Sequence, residues 1–147
     1  MIELNEKTPI KIPFCPSCMS KNTRRYHEKV ELPHNKGWHR VKYYMPMIFC
    51  KDCEEHFSAL EGIKAQHDAA MVAMDGMTVK QIKDLRKGLG FKNAVSFARY
   101  LGVGDNTVKR WENRSSWPSP SGRMLLKLAA AGVDLSIVKN KNRNDAE

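Results

Sequence analysis

The amino-acid sequence predicts an α+β protein in which a small β-hairpin module is followed by an all-α, five-helix module. Three observations predict it. All four cysteines fall in two pairs of identical spacing, Cys15-Pro16-Ser17-Cys18 and Cys50-Lys51-Asp52-Cys53. Apolar residues recur at every second position between these pairs, and at helical spacing from Ser58 onward. The charge is uneven: residues 1 to 62 hold ten Lys/Arg against eight Asp/Glu and residues 63 to 147 fifteen against eight, within a net charge of +9.

Two residues between thiolates let a tight turn present both sulfurs to one ion about 2.3 Å away, and two such turns fill a tetrahedral sphere with no open position. Cys15, Cys18, Cys50 and Cys53 are therefore expected to hold one structural Zn2+ ion. The rival reading, a pair of disulfides or a redox motif, needs an oxidising compartment or a catalytic setting. The stretch Met1 to Lys7 lacks an apolar signal segment, so the reducing cytoplasm is expected. No apolar run approaches the ~20 residues that cross a bilayer.

After an N-terminal extension of residues 1–13, the zinc-binding domain spans 14–57. Within it Tyr26, Glu28, Val30 and Leu32 alternate with Arg25, His27, Lys29 and Glu31, and Val41, Tyr43, Met45, Met47 and Phe49 form a second period-two run. Turn formers in Pro33 to Gly37 join the runs into an antiparallel hairpin whose ends bring the cysteine turns together, a zinc ribbon in outline. So small a module buries too little apolar surface to offset chain entropy, and a structural zinc ion worth on the order of 10–16 kcal/mol makes up the difference.

The next segment, 58–77, reads as a linker helix. Ser58 to Glu61 matches a capping box, and Leu60, Ile63, His67, Ala70, Met71 and Met74 make a stripe suited to packing on a neighbouring domain. Its end is expected at Asp75-Gly76, where glycine takes the left-handed conformation. A second capping box, Thr78 to Gln81, opens the domain at 78–138. Its first helix carries Val79, Ile82, Leu85 and Leu89 to about Gly88. Later helices hold Val95, Ala98 and Leu101, then Thr107 to Asn113, then, after a loop from Ser115 to Pro120, the stripe Met124, Leu125, Leu128 and Ala129. Asp134 caps a last short turn through Val138, and the polar tail 139–147 is expected to be disordered.

The stretch Phe97 to Glu112 fits a helix-turn-helix, and each residue type has a reason. Ala98 is small where two helices cross closely, Gly102 permits the turn, Val103 fills the space beneath it and Gly104 caps the next helix. Val108 and Trp111 turn that helix inward. Asn106, Lys109, Arg110 and Asn113 then share the outer face at i, i+3, i+4 and i+7. Arginine grips guanine, asparagine pairs with adenine and lysine meets phosphate. Thr107 touches base or backbone, and Lys92 and Asn93 stand ready for phosphate at the start of the preceding helix. A merely solvated face is the competing reading. The basic bias of the same half favours a polyanion.

The C-terminal pattern resembles lambda-repressor-like, XRE-type helix-turn-helix domains. With Cys15-Pro16-Ser17-Cys18 and Cys50-Lys51-Asp52-Cys53-Glu54-Glu55 ahead of it and Arg110-Trp111-Glu112 within it, the chain resembles the MqsA (YgiT) antitoxin family from residue 14 to about 138. The resemblance implies zinc bound by the four cysteines, a zinc domain that inhibits an MqsR-type ribonuclease toxin, a homodimer formed through the C-terminal domain and repression of the protein's own operon. It also implies base reading by Asn106 and Arg110. Met19 stands after Cys18 where the family usually has glycine.

Other function classes fit less well. Four thiolates saturate a metal, and none of His27, His34, His39, His56 or His67 sits in a His-Glu-x-x-His or His-x-Glu pattern, so a zinc enzyme is not expected. An RNA-binding adaptor would need Tyr43, Tyr44 and Phe49 for base stacking, and the hairpin core explains those residues. The expectation is a cytoplasmic dimeric repressor that binds a palindromic double-stranded DNA operator and serves as an antitoxin. The alternative is a free-standing regulator of a phage or mobile element with no toxin partner.

Overall fold

Aromatic and β-branched residues dominate Val41–Cys50, and this stretch forms the central strand, β3, of a four-stranded sheet. We describe residues 1–11 and 14–136 of the computed structural model. They fall into two units, the first running from Met1 to Asp75 and the second starting at Gly76.

In the first unit β1 (Ile2–Glu3) lies parallel to the start of β3, β2 (Thr23–Glu31) pairs antiparallel along its length, and β4 (His56–Ser58) pairs with its end. The β2–β3 register runs unbroken from Thr23 opposite Cys50 to Glu31 opposite Lys42, and it brings the two cysteine pairs together. Leu32 donates to the Val41 carbonyl, so odd-numbered residues of β3 bond to β2 and even-numbered ones face the other edge. Pro46 is even-numbered. Its missing N–H therefore lies on the edge away from β2, where Ala59 donates to the Pro46 carbonyl at 2.9 Å and the Ala59 carbonyl takes the Gly62 N–H in place of the bond that proline cannot return.

The sequence alternation is obeyed in backbone and broken in burial. Val41 and Tyr43 are buried as expected, but further along it is Pro46, Ile48 and Cys50, not Met47 and Phe49, that are inside. No bulge causes the switch. Helix α1 (Gly62–Ala73) covers the first half of one face, where Leu32, Val41 and Tyr43 meet Ala65, Ala69, Ala70 and Ala73. On the opposite face Ile10 and Ala59 cover Ile48. The N-terminal extension is thus part of the fold: the His27 ring N–H donates to the Thr8 carbonyl at 2.7 Å and Arg25 to that of Ile10 at 3.0 Å.

Helix α1 departs from the expected linker helix. Ser58 belongs to β4, Glu61 occupies the N-cap without a capping bond, and its carboxylate accepts the Lys11 N–H at 2.9 Å instead. Alanines four residues apart, at 65, 69 and 73, set the buried phase because small side chains let the helix lie close on the sheet. Gly62 comes closer still, since a Cβ there would stand 2.6 Å from Met45 Sδ. Leu60 and Ile63, read as buried, are 67% and 70% exposed. The helix stops through Asp75 (φ +66°) rather than Gly76.

The second unit contains α2 (Val79–Gly88), α3 (Ala94–Leu101), α4 (Thr107–Glu112) and α5 (Pro120–Ala130). The Thr78–Gln81 capping box forms in both directions. The core gathers Val79, Ile82, Phe97, Ala98, Leu101, Val108, Trp111, Leu126 and Ala129. Two helix faces and one helix start differ from expectation. Leu89 is exposed and Arg86 takes the inner position on α2. Helix α5 begins earlier, with Ser119 accepting the Gly122 N–H and Pro120 in its first turn. It buries Gly122, Leu126 and Ala129 while Met124 and Leu128 face out, because a residue larger than glycine at 122 would bring Cβ within 2.9 Å of the Trp111 ring. Asp134 accepts from the Ser136 N–H at 3.0 Å, as a cap should; Val138 and the tail 139–147 lie outside the described residues.

Candidate metal centre and nucleic-acid interface

At the end of the sheet the two cysteine turns face each other. Cys15 Sγ lies 3.6 Å from Cys53 Sγ, and Cys18 Sγ lies 3.6 Å from Cys50 Sγ and 3.8 Å from Cys53 Sγ. All four sulfurs fall within 4.8 Å of one another. A tetrahedron of 2.3 Å metal–sulfur bonds has edges of about 3.8 Å, whereas a disulfide needs about 2.05 Å. The donor set fits one ion with closed coordination, and no cysteine is paired as a disulfide.

Both turns are built alike. The residue after each second cysteine is left-handed, Met19 at φ +61° and Glu54 at φ +55°, which folds the chain back beneath the sulfurs. Backbone N–H groups of Ser17 and Cys18 point at Cys15 Sγ from 3.3 and 3.5 Å. Asp52 ties one turn to the other by accepting from the Ser20 hydroxyl and, at 3.0 Å, from the Asn22 amide. Those two bonds hold its carboxyl below the usual range.

The thiols shift one another's ionisation in opposite directions. Hydrogen bonding to Cys50, burial and the neighbouring Cys15 and Cys18 push Cys53 up to about 12. Burial would raise Cys15 too, but the N–H groups of Cys18 and Ser17 and the adjoining thiols bring it to about 7. Four sulfurs this close ionise together only around a cation.

In the second unit, α3 ends in left-handed Gly102 (φ +81°), with Val103 donating to the Ala98 carbonyl, and α4 begins five residues later. The N-cap of α4 is Asn106 rather than Gly104, and its side chain makes no capping bond. Val108 and Trp111 are buried; Asn106, Lys109, Arg110 and Asn113 are exposed and Thr107 is half-buried. Asn113 is tied into the following turn, its carbonyl accepting from the Ser115 N–H at 2.9 Å and from the Ser115 hydroxyl. Lys92 and Asn93 are exposed on the approach to α3, where Asn93 caps the helix by accepting the Ser96 N–H at 2.9 Å.

What holds α4 in place is a buried ion pair that no motif announces. Arg86 Nε and Nη2 donate to the Glu112 carboxylate at 3.1–3.3 Å, and Nη1 donates to the Phe91 and Lys92 carbonyls at 3.1 and 2.8 Å. Both side chains are almost wholly enclosed, at 10% and 9% exposure. The available signal was an arginine in phase with Val79 and Ile82 on the inner face of α2. Past α4, Arg114 is left-handed (φ +63°), and the Ser115 and Arg114 N–H groups return to the Arg110 and Trp111 carbonyls, closing a Schellman motif.

A helix, a left-handed glycine turn and a second helix with a buried apolar side and a polar outer face define a helix-turn-helix unit. The comparisons agree. The chain is 37% identical over 84 residues to the uncharacterized HTH-type transcriptional regulator YiaG of Escherichia coli strain K12, a match covering 56% of this chain and 86% of that protein. The YiaG proteins of the O6:H1 and O157:H7 strains match to the same extent. The chain belongs to the family of HTH-type transcriptional regulators. No family model matches it. Among the described residues no helix is long and apolar enough to cross a membrane.

Proposed function

We propose that this protein is a zinc-stapled transcriptional repressor that binds double-stranded DNA in a sequence-specific manner through α4. The observation that carries the reading is the two-sidedness of that helix: Val108 and Trp111 anchor it while Asn106, Lys109 and Arg110 face outward from the basic half of the chain. Asn106 and Arg110 read bases, Thr107 and Lys109 support them, and Lys92, Asn93 and Asn113 approach the phosphates. The ion held by Cys15, Cys18, Cys50 and Cys53 is zinc, because closed tetrahedral thiolate coordination suits it. When bound, it supplies a structural staple and no reaction.

The protein acts as a homodimer on a palindromic operator. Met124 and Leu128, one turn apart on α5, and Val133 beyond it remain exposed and supply an apolar face for a second copy. Such a dimer sets its recognition helices about 34–36 Å apart, or a multiple of that. The resemblance to MqsA-type antitoxins adds a ribonuclease toxin as partner of the first unit, where exposed Leu60 and Ile63 offer the apolar surface a protein partner needs.

Binding to operator and random duplexes over a range of salt tests the DNA reading. Arg110→Ala is expected to lose ~1–3 kcal/mol with relaxed preference at one base pair, and Lys92→Ala to weaken all duplexes alike and flatten the salt slope. Equal loss on operator and random DNA from Arg110→Ala contradicts base reading. The toxin assignment is tested by expressing the adjoining reading frame alone and with this chain: arrested growth rescued by the chain supports it, and a harmless neighbour contradicts it.

A further inference from the structure

Asp105 places an exposed carboxylate directly before Asn106, next to the helix whose exposed residues include Lys109 and Arg110. A lone carboxylate there would be repelled by DNA phosphates. This one is gripped by Arg99 of α3: Nε donates to Oδ1 at 3.2 Å and Nη2 to Oδ2 at 3.0 Å, one N–H for each oxygen. The pair is solvated, with side chains 62% and 55% exposed, and a solvated pair adds little to stability. Its geometry, a bidentate fork holding the carboxylate in one plane, is of the kind used for recognition.

We propose that Asp105 is a specificity-determining residue that reads a cytosine in the major groove, with Arg99 as its positioning partner. This rests on the reading of α4 as the groove-binding helix. An ionised carboxylate only accepts hydrogen bonds. Cytosine offers it the N4 amino donor, guanine presents two acceptors, thymine an acceptor and a methyl group, and adenine a donor beside the acceptor N7. Cytosine is the one base whose major-groove edge offers a donor without an adjoining acceptor. Both oxygens of Asp105 accept from Arg99, and a carboxylate oxygen can accept more than one hydrogen bond. Arg99 offsets the negative charge against the flanking phosphates and fixes the direction in which the oxygens point.

The test uses the full zinc-loaded chain, selecting from randomised duplexes and then titrating single-base variants of the selected site. The wild-type site is expected to hold a cytosine at a base pair distinct from the one that Arg110→Ala relaxes, and replacing it lowers affinity about tenfold or more. Asp105→Asn moves the preference there to adenine, because a carboxamide both donates and accepts. Asp105→Ala leaves no preference. If both variants select the wild-type site and change affinity on every duplex by one common factor, Asp105 contributes charge alone and the inference falls, while the effect of Arg110→Ala leaves the DNA reading standing. If wild type selects no site and Arg110→Ala has no effect, the DNA reading falls and takes this inference with it.

Discussion

Replacing Arg86 by methionine removes the cation from a site that has little water to take its place. Glu112, only 9% exposed, is left without the arginine, and the Phe91 and Lys92 carbonyls each lose a donor. Breaking one side of such a buried pair costs about 3–5 kcal/mol, and each stranded carbonyl on its own costs about 1–3. These terms overlap, so about 3–5 kcal/mol is expected for the whole change, a large share of the ~5–15 kcal/mol that typically separates folded from unfolded. The double variant Arg86→Met, Glu112→Leu removes both charges, and most of the loss should return because similar-sized apolar residues replace a buried pair at small cost. Urea denaturation at fixed zinc, followed by far-ultraviolet circular dichroism, measures single and double variants as a thermodynamic cycle. A loss below about 1 kcal/mol for Arg86→Met, or a double variant no more stable than the single, would refute the view that this pair clamps α4.

Further outcomes are expected. A strong chelator should remove the β structure of the first unit and leave the helical signal of the second; loss of both together would contradict their independence. Met19→Gly relieves a left-handed side chain costing about 1–2 kcal/mol, partly offset by the freedom glycine adds to the unfolded chain, so a gain of ~0.5–1 kcal/mol in thermal unfolding is expected and a loss would count against the turn geometry. Leu128→Glu should give a monomer by light scattering that binds a half-site normally and a palindrome weakly; a stable dimer would place the interface elsewhere. Asp134 is held below its ordinary 3.8 by the Ser136 hydroxyl and N–H, so its stabilisation is full above that value and lost as pH falls through the lower folded one. The advantage of wild type over Asp134→Asn in thermal unfolding should therefore shrink on acidification, and a constant difference would refute the cap.

Spacing made the cysteine site legible. Two cysteines three positions apart, twice, leave few geometries, and the sulfurs stand where that pattern puts them. The strands, Gly102 and the Thr78 cap were legible for the same reason, since local rules decide them. Side-chain phase was less so. Met47 and Phe49 follow the period-two pattern yet lie outside it, because α1 and Ile10 cover opposite faces at opposite ends of β3, and no local signal states which partner arrives. Hydrophobicity puts Leu60 and Ile63, and Met124 and Leu128, on apolar stripes suited to packing, while alanine and glycine at 65, 69, 73 and 122 decide which way the helices turn. Arg86 was hidden for the opposite reason: a charged residue reads as surface until its partner, 26 residues away, is in view.

Helix α4 is six residues long, too short to persist in water by itself, since an isolated helix is marginal below about 12–15 residues. Its shape is imposed from outside: by Arg86 on Glu112, by Gly122 against Trp111, by the left-handed turns at Gly102 and Arg114, and by burial of Val108. None of these supports involves the outer face. Asn106, Lys109 and Arg110 are therefore exchangeable without loss of fold, and substitutions there change what is bound while the protein's melting temperature stays nearly constant. The supports behave in the reverse way, because loosening them lets the reading residues wander and weakens every duplex together. A substitution at Asn106 or Arg110 that unfolded the second unit would show that the outer face carries structure, and the separation of reading from holding would fail.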